Sequence, residues 1–203
     1  MIPPPDRSPE RDAALEAMLP NVPFEGWTYR SLRSGLRSIG QAEEDAELLF
    51  PGGAADMIEA FCDWADRRME QAAAQMEGLK LPERVRALIV LRLEQNRGYK
   101  EAVRRAIAVL ALPRNARVAA RCPARTVDAI WHAAGDRTTD FSWYTKRAIL
   151  TAAYTATILF WLRDASEEDA ATLAFLDRRV AGIAWTHRLR QRVEARLRGW
   201  RMA

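Results

Sequence analysis

The chain has 203 residues, 49% of them hydrophobic, enough to bury a core as one domain or as a small domain joined to a larger one. A net charge of +4 does not by itself point to nucleic acid, because where the charge sits decides what it meets. Two cysteines without CxxC spacing, and two histidines outside any ExxH or HxxxH pair, argue against a disulfide framework and against a helical zinc or di-iron site.

Hydrophobic periodicity is helical throughout, and no Val/Ile-rich run alternates with period two. Residues 1–9, "MIPPPDRSP", read as a disordered arm. The N-terminus has no apolar signal core and no Arg/Ser-rich presequence, so the expected location is the bacterial cytoplasm, peripheral on the inner membrane. A first helix over Glu10–Leu19 turns Ala14, Leu15, Met18 and Leu19 inward, and Pro20 and Pro23 end it. A second, over Trp27–Ile39, buries Leu32, Leu36 and Ile39 and shows Arg30, Arg33 and Arg37 outside, with Gly40 as its stop. Gln41–Phe50 is expected as a short third helix before "PGG".

The fourth helix begins near Ala54, with Met57, Ile58, Phe61, Trp64, Ala65 and Met69 in one stripe. "PERVRALIVLRLEQN" and "YKEAVRRAIAVLAL" supply two core helices, the first with Pro82 in its opening turn. Pro113 and Pro123 are expected to bracket a short piece, after which "ARTVDAIWHAAG" forms a separate helix. A long helix then runs through Leu162, capped by Ser142 or Asp140. It is apolar on nearly all sides, and small residues alternate with large ones, which suits either a filled core or a slot for an apolar ligand. Its 15-residue apolar stretch, Ala148–Leu162, falls short of the ~20 residues of a membrane span. If there is a slot, its lining on this helix is expected to include Ile149, Ala153, Tyr154, Thr157 and Phe160. Ser166 with Asp169 three residues on looks close to a capping box for the following helix.

In the last helix Trp185, Leu189, Val193, Leu197 and Trp200 form one stripe, surrounded by six arginines from Arg188 to Arg201. A basic amphipathic helix with Trp at both ends of its stripe is the pattern of a membrane-surface helix. A terminal helix docked on its own domain or on a twin subunit is the competing reading. Catalytic chemistry is thin: GxSxG, GxxxxGK[ST] and GxGxxG are all absent, and no catalytic residue, metal ligand or cofactor is assigned. Cys62 and Cys122 read as buried or half-buried thiols, and His132 and His187 as helix-face residues.

The spacing of residues 27–53 is that of a helix-turn-helix, but residues 41–60 carry Glu43, Glu44, Asp45, Glu47, Asp56 and Glu59 and no Lys or Arg. Phosphate neutralisation dominates DNA affinity, so this face is repelled by the duplex and no nucleic-acid partner is expected. Residues 14–61 nonetheless resemble the DNA-binding head of TetR-type regulators, through "GWTYRSL" and "FPGG…DMI", with Gly53 where that family has a lysine. "QAEEDAELL" replaces the usual reading helix.

A second resemblance covers nearly the whole chain from Arg11. "GDRTTDFSWYTKRAILTAAYTATILFWLRDASEEDAATLAFLDRRV" (residues 135–180), "PNVPFEGWT" and "LFPGG" are similar to the ninth coenzyme Q biosynthesis protein family. The run Asp140, Trp143, Tyr144, Thr145, Lys146, Arg147 carries the likeness most specifically. That resemblance implies an all-α, TetR-like helical fold that has lost DNA binding: a three-helix head over residues 10–52, a lipid-binding body over 53–182 and an amphipathic helix over 183–203, about nine or ten helices in all. It implies a non-enzymatic homodimer that holds an isoprenoid lipid or quinone intermediate, docks on a membrane surface and presents its ligand to the di-iron demethoxyubiquinone hydroxylase. Under the same resemblance the partner-docking surface comprises Asp128, Trp131, Trp143, Tyr144, Lys146 and Arg147. A TetR-like transcriptional regulator with a lipid or other apolar inducer, and a helical adaptor with no ligand, are the alternatives.

Overall fold

A computed structural model describes residues 3–76, 78–136 and 142–181, and every regular element among them is helical. Helix α1 (Pro9–Met18) starts where the Ser8 side chain accepts the Arg11 backbone N–H at 3.1 Å. A single turn, α2 (Val22–Glu25), leads to α3 (Tyr29–Ser38), which Thr28 caps by accepting from the Ser31 N–H at 3.3 Å. Trp27 therefore lies outside the helix expected to contain it, and its indole donates to the Ala102 carbonyl at 3.0 Å. Helices α1 and α3 touch backbone to backbone at Gly35, where a Cβ would sit 2.7 Å from the Met18 nitrogen.

The helix expected over Gln41–Phe50 is a 3-10 turn (Glu43–Asp45) followed by one helical turn, α4 (Ala46–Leu49). So short a segment between Gly40 and "PGG" gains little from helix propagation. Ala46 and Phe50 are buried and Leu48 is exposed, so only one turn is held by packing. The acids of this segment close onto the arginines of α3: Glu43 accepts from Arg37 at 2.7 and 2.8 Å, and Glu47 pairs with Arg33. Arg30 pairs with Glu25 at 3.0 Å. The "PGG" corner is tied down by the Tyr29 hydroxyl, 2.7 Å from the Phe50 carbonyl, and by Arg11, which reaches Leu49 O and Asp56 and stacks over the Phe50 ring.

Helix α5 (Gly53–Ala73) is the spine; its first half packs on the N-terminal helices and its last turns on the rest. Arg7 and Arg67 converge on Asp63, and Arg67 also bridges to Asp12, which fastens α1 and the preceding arm to the spine. Helices α6 (Leu81–Gln95), α7 (Lys100–Leu110), α8 (Ala116–Ala133), α9 (Ser142–Trp161) and α10 (residues 170–181) complete the body. The break expected at Pro123 is not there, because α8 runs through it. A proline inside a helix removes one backbone bond and costs about 3 kcal/mol. Burial of Cys122, Thr126, Val127, Ile130 and Trp131, in a helix packed against α5, α9, α6 and α7, outweighs it. The capping box expected at Ser166 and Asp169 is not formed either. Ser166 accepts from the Ala171 N–H, whereas Asp169 turns to Arg97 and Lys100 at 3.1 and 3.4 Å.

Two apolar cores result. One joins α1–α5 with Ala102 and Ala106 of α7; the other joins the end of α5 with α6, α8, α9 and α10.

Candidate functional site

Between these cores lies a cavity of about 340 Å3, walled by α5, α6, α7, α8 and α9. Ile58 and Phe61 come from α5, Val103, Ile107 and Leu110 from α7, and Ile158 and Leu159 from α9. Such apolar walls with a few polar groups, at this size, are those of a small-molecule site. Pro123 and Ala119, one turn apart on α8, both line it. Proline has no N–H, so the helix bond that would satisfy the Ala119 carbonyl cannot form at this wall.

One side of the cavity carries buried polar residues. Arg92 and Asp66 are buried and paired at 3.1 Å, and Arg92 also donates to the Cys62 carbonyl at 3.3 Å. The Thr126 hydroxyl donates to the Asp66 carboxylate at 2.9 Å. Burial pushes the Asp66 carboxyl up to about 6, against the opposing pull of Arg92 and Thr126. Burial likewise lifts the Tyr154 phenol to about 12, so it stays a neutral donor. Both cysteines are free and line the same wall, a convergence that their separation in sequence hides. The contact with Cys122, with burial adding to it, drives the Cys62 thiol well above its ordinary value.

Of the five residues expected to line a slot on α9, Tyr154 is on the cavity wall. Ala153 and Thr157 are buried on other faces, the Thr157 hydroxyl donating to the Ala153 carbonyl at 2.8 Å. Ile149 and Phe160 are over a third exposed, and the Phe160 ring stacks on Phe175 at 4.7 Å. The wall on this helix consists of Tyr154, Thr155, Ile158, Leu159 and Trp161. The helix is apolar all round, so periodicity could not say which face met the space. Arg92, Asn96, Thr126 and the two cysteines went unnoticed as lining for a related reason: they come from three different helices.

The six residues of the expected docking surface do come together, where α8 runs beside the start of α9. Arg147 pairs with Asp128 and lies 3.8 Å over the Trp143 ring, which meets Tyr144 edge-on at 4.7 Å. Lys146 lies 3.6 Å from Asp136 and over the Trp131 ring. Tyr144 is 70% exposed, although a large aromatic usually seeks cover. The stripe Trp185, Leu189, Val193, Leu197 and Trp200 lies outside the described residues, as does Asp140. Among the described residues, no cluster of His, Cys, Asp or Glu is placed to hold a metal, and no helix is long and apolar enough to cross a membrane.

A profile of the COQ9 family matches residues 116–187. The mitochondrial ubiquinone biosynthesis protein COQ9 of Rattus norvegicus is 33% identical over 175 residues, 82% of this chain and 56% of the rat protein. The human protein is 34% identical over the same share of this chain and 55% of its own length. The Schizosaccharomyces pombe protein is 34% identical over 169 residues, 82% of this chain and 66% of that one. The chain thus spans about half the length of the mammalian relatives. In three dimensions it is similar to a TetR transcriptional regulator from Nitrosomonas europaea. The TM-score is 0.69 at 25% identity, covering 88% of this chain and 99% of that one. The all-α, TetR-like fold is therefore as expected. The expected bacterial cytoplasmic, inner-membrane location is corrected by these relatives, which are mitochondrial by name. With a third of its residues shared with them across four fifths of its length, the chain belongs to the COQ9 family.

Proposed function

We propose that this chain is an accessory protein of ubiquinone biosynthesis, the pathway named for its relatives. It holds an isoprenoid quinone intermediate in the cavity between α5 and α9 and presents it, through the α8–α9 patch, to the di-iron demethoxyubiquinone hydroxylase. The observation that carries the reading is the cavity itself, about 340 Å3 of largely apolar space inside a chain whose motifs supply no catalytic set. The exposed Tyr144 beside a braced Trp143–Arg147 pair has the composition of an interface anchor and supports the docking role. The basic stripe of the last 21 residues, 183–203, is the part suited to a lipid surface, and a homodimer is the assembly we assign.

Native mass spectrometry of the gently purified full chain tests the ligand. A bound isoprenoid lipid is expected, and Ala106→Trp, which fills the cavity, should abolish it. A wild-type protein that carries no lipid under any gentle condition refutes the reading. Co-purification with the hydroxylase should be lost on Tyr144→Ala with the melting temperature unchanged. The second reading, a TetR-type regulator, is favoured by the structural likeness. A gel shift on the gene's own upstream DNA at low salt separates the two, since tight sequence-specific retention would replace our reading with that one.

A further inference from the structure

Helices α5 and α8 lie side by side in parallel register, and polar contacts mark that register rung by rung. Glu59 pairs with Arg125 at 3.0 Å, Asp66 accepts from Thr126 at 2.9 Å, and Glu70 meets His132 at 3.2 Å. Cys62 precedes Asp66 by four residues and Cys122 precedes Thr126 by four, so the two thiols form the rung one turn before the Asp66–Thr126 bond. Their side chains meet there, Cys62 donating to Cys122. Both thiols are free and both line the cavity, and Cys122 is 4% exposed. The hydrogen bond from Cys62 holds the Cys122 thiol below its ordinary value, with the charge of Arg125 adding to it and burial opposing. The pair thus has an attacking sulfur, Cys122, beside one that keeps its proton, Cys62.

We propose that Cys62 and Cys122 are a redox-active pair, which a small hydroperoxide entering the cavity oxidises to a disulfide bridging α5 and α8. The Cys122 thiolate attacks one peroxide oxygen and the O–O bond breaks. Cys122 becomes a sulfenic acid, and the other oxygen leaves as hydroxide and takes up the proton that Cys122 gave up. The Cys62 sulfur then attacks the Cys122 sulfur, the S–O bond breaks, and the hydroxyl departs with the Cys62 proton as water. Two thiols lose two electrons and two protons; hydrogen peroxide gains them and becomes two waters. The oxidant is small because a buried sulfur is closed to in-line attack on a protein disulfide, whereas a cavity of about 340 Å3 admits a molecule of a few heavy atoms. The bond has a topological consequence. Residues 63–121 contain α6 and α7, so one bridge closes a covalent ring through four of the five helices that wall the cavity. It also draws the sulfurs to about 2.05 Å, tightening α8 onto α5 at the wall. The reaction needs the space and not any particular ligand, so it stands apart from the function proposed above.

The test is mass spectrometry of the full native chain after hydrogen peroxide, alkylation and digestion. A peptide joining Cys62 to Cys122 is expected, lighter by two hydrogens and released by dithiothreitol. Its absence, its appearance only in urea, or disulfides between chains in its place overturns the proposal. Cys62→Ala removes the second thiol, so peroxide should leave a sulfenic acid on Cys122 that dimedone traps, whereas Cys122→Ala should yield none on Cys62. Trapping on Cys62 instead overturns the order of attack. Ala106→Trp and Ile107→Trp each fill the cavity and should slow the cross-linking. An unchanged rate in whichever of the two keeps its melting temperature overturns entry by this route. The bridged chain should melt about 4–16 °C higher, through the loop that the bond closes. A bridged chain that melts no higher overturns a bond that the fold accommodates.

Discussion

Replacing Asp66 with alanine tests how dry the wall of the cavity is. Asp66 and Arg92 are 6% and 3% exposed, and the carboxylate also accepts from Thr126. Without it the Arg92 guanidinium stays buried with no counter-charge, a change that costs about 3–5 kcal/mol. For a chain of this size each kcal/mol lowers the melting temperature by about 2–4 °C, so thermal unfolding followed by circular dichroism should fall by about 6–20 °C. Replacing the pair together, Asp66→Leu with Arg92→Met, should recover most of the loss, because the cost lies in the orphaned charge. The pH dependence has a definite sign. Burial raises the Asp66 carboxyl from 3.8 to about 6, so the native chain holds this proton more tightly than the unfolded one. The contribution to stability is fully present below 3.8, amounts to about 3 kcal/mol, and is lost as the pH rises through 6. Wild type should therefore gain on Asp66→Asn by about that amount as the pH falls from about 7 to below 4. A cost under about 1 kcal/mol for Asp66→Ala, with a flat difference curve, would mean that water reaches the pair, and would refute the reasoning.

Gly35→Ala drives a methyl into the α1 backbone, 2.7 Å from the Met18 nitrogen, and should cost about 1–3 kcal/mol in urea unfolding. No loss would mean that α1 and α3 separate freely. Pro123→Ala should stabilise α8, by up to about 3 kcal/mol, by giving the Ala119 carbonyl its helix partner. Unchanged stability would show that this carbonyl is already satisfied. Iodoacetamide at neutral pH should modify Cys62 more slowly than a free thiol, since the Cys122 contact and burial hold its proton on, and a filled cavity should slow it further. Mass spectrometry of the alkylated chain reads both effects; ligand-independent labelling would place the thiol outside the filled space.

Local chemistry made much of this fold legible in the sequence. Pro20, Gly40 and "PGG" punctuate the head because they act within a few residues, and the 3.6-residue stripe of α5 appears intact as the buried row Met57, Ile58, Phe61, Trp64, Ala65 and Met69. Features decided at a distance were not legible. Pro123 looked like a boundary because its cost is local, whereas the burial that outweighs it comes from helices distant in sequence, α5 and α9 foremost. Residues 41–50 looked like a helix because their periodicity is helical, whereas ion pairs to Arg33 and Arg37 and a single buried turn set their shape. The six residues of the expected docking surface were legible as a group because a resemblance carried them together. The cavity face of α9 was misjudged because a helix apolar on every side encodes no preferred face.

The cavity lies on the seam between the two cores, and this ties its contents to the outside of the molecule. Ile58, Phe61 and Ala106 belong to one core, Tyr154 and Trp161 to the other, and all five line the cavity. Whatever fills the seam enters the packing of both, so an occupant and the set of the two halves bias each other reciprocally. The same two helices continue from the wall to the surface: Thr126 of α8 faces the cavity, and Asp128 and Trp131 follow it into the Trp143–Arg147 patch. Under the proposed function, a partner resting on that patch would touch the far end of the elements that line the cavity, and so would have a mechanical means of telling a filled cavity from an empty one.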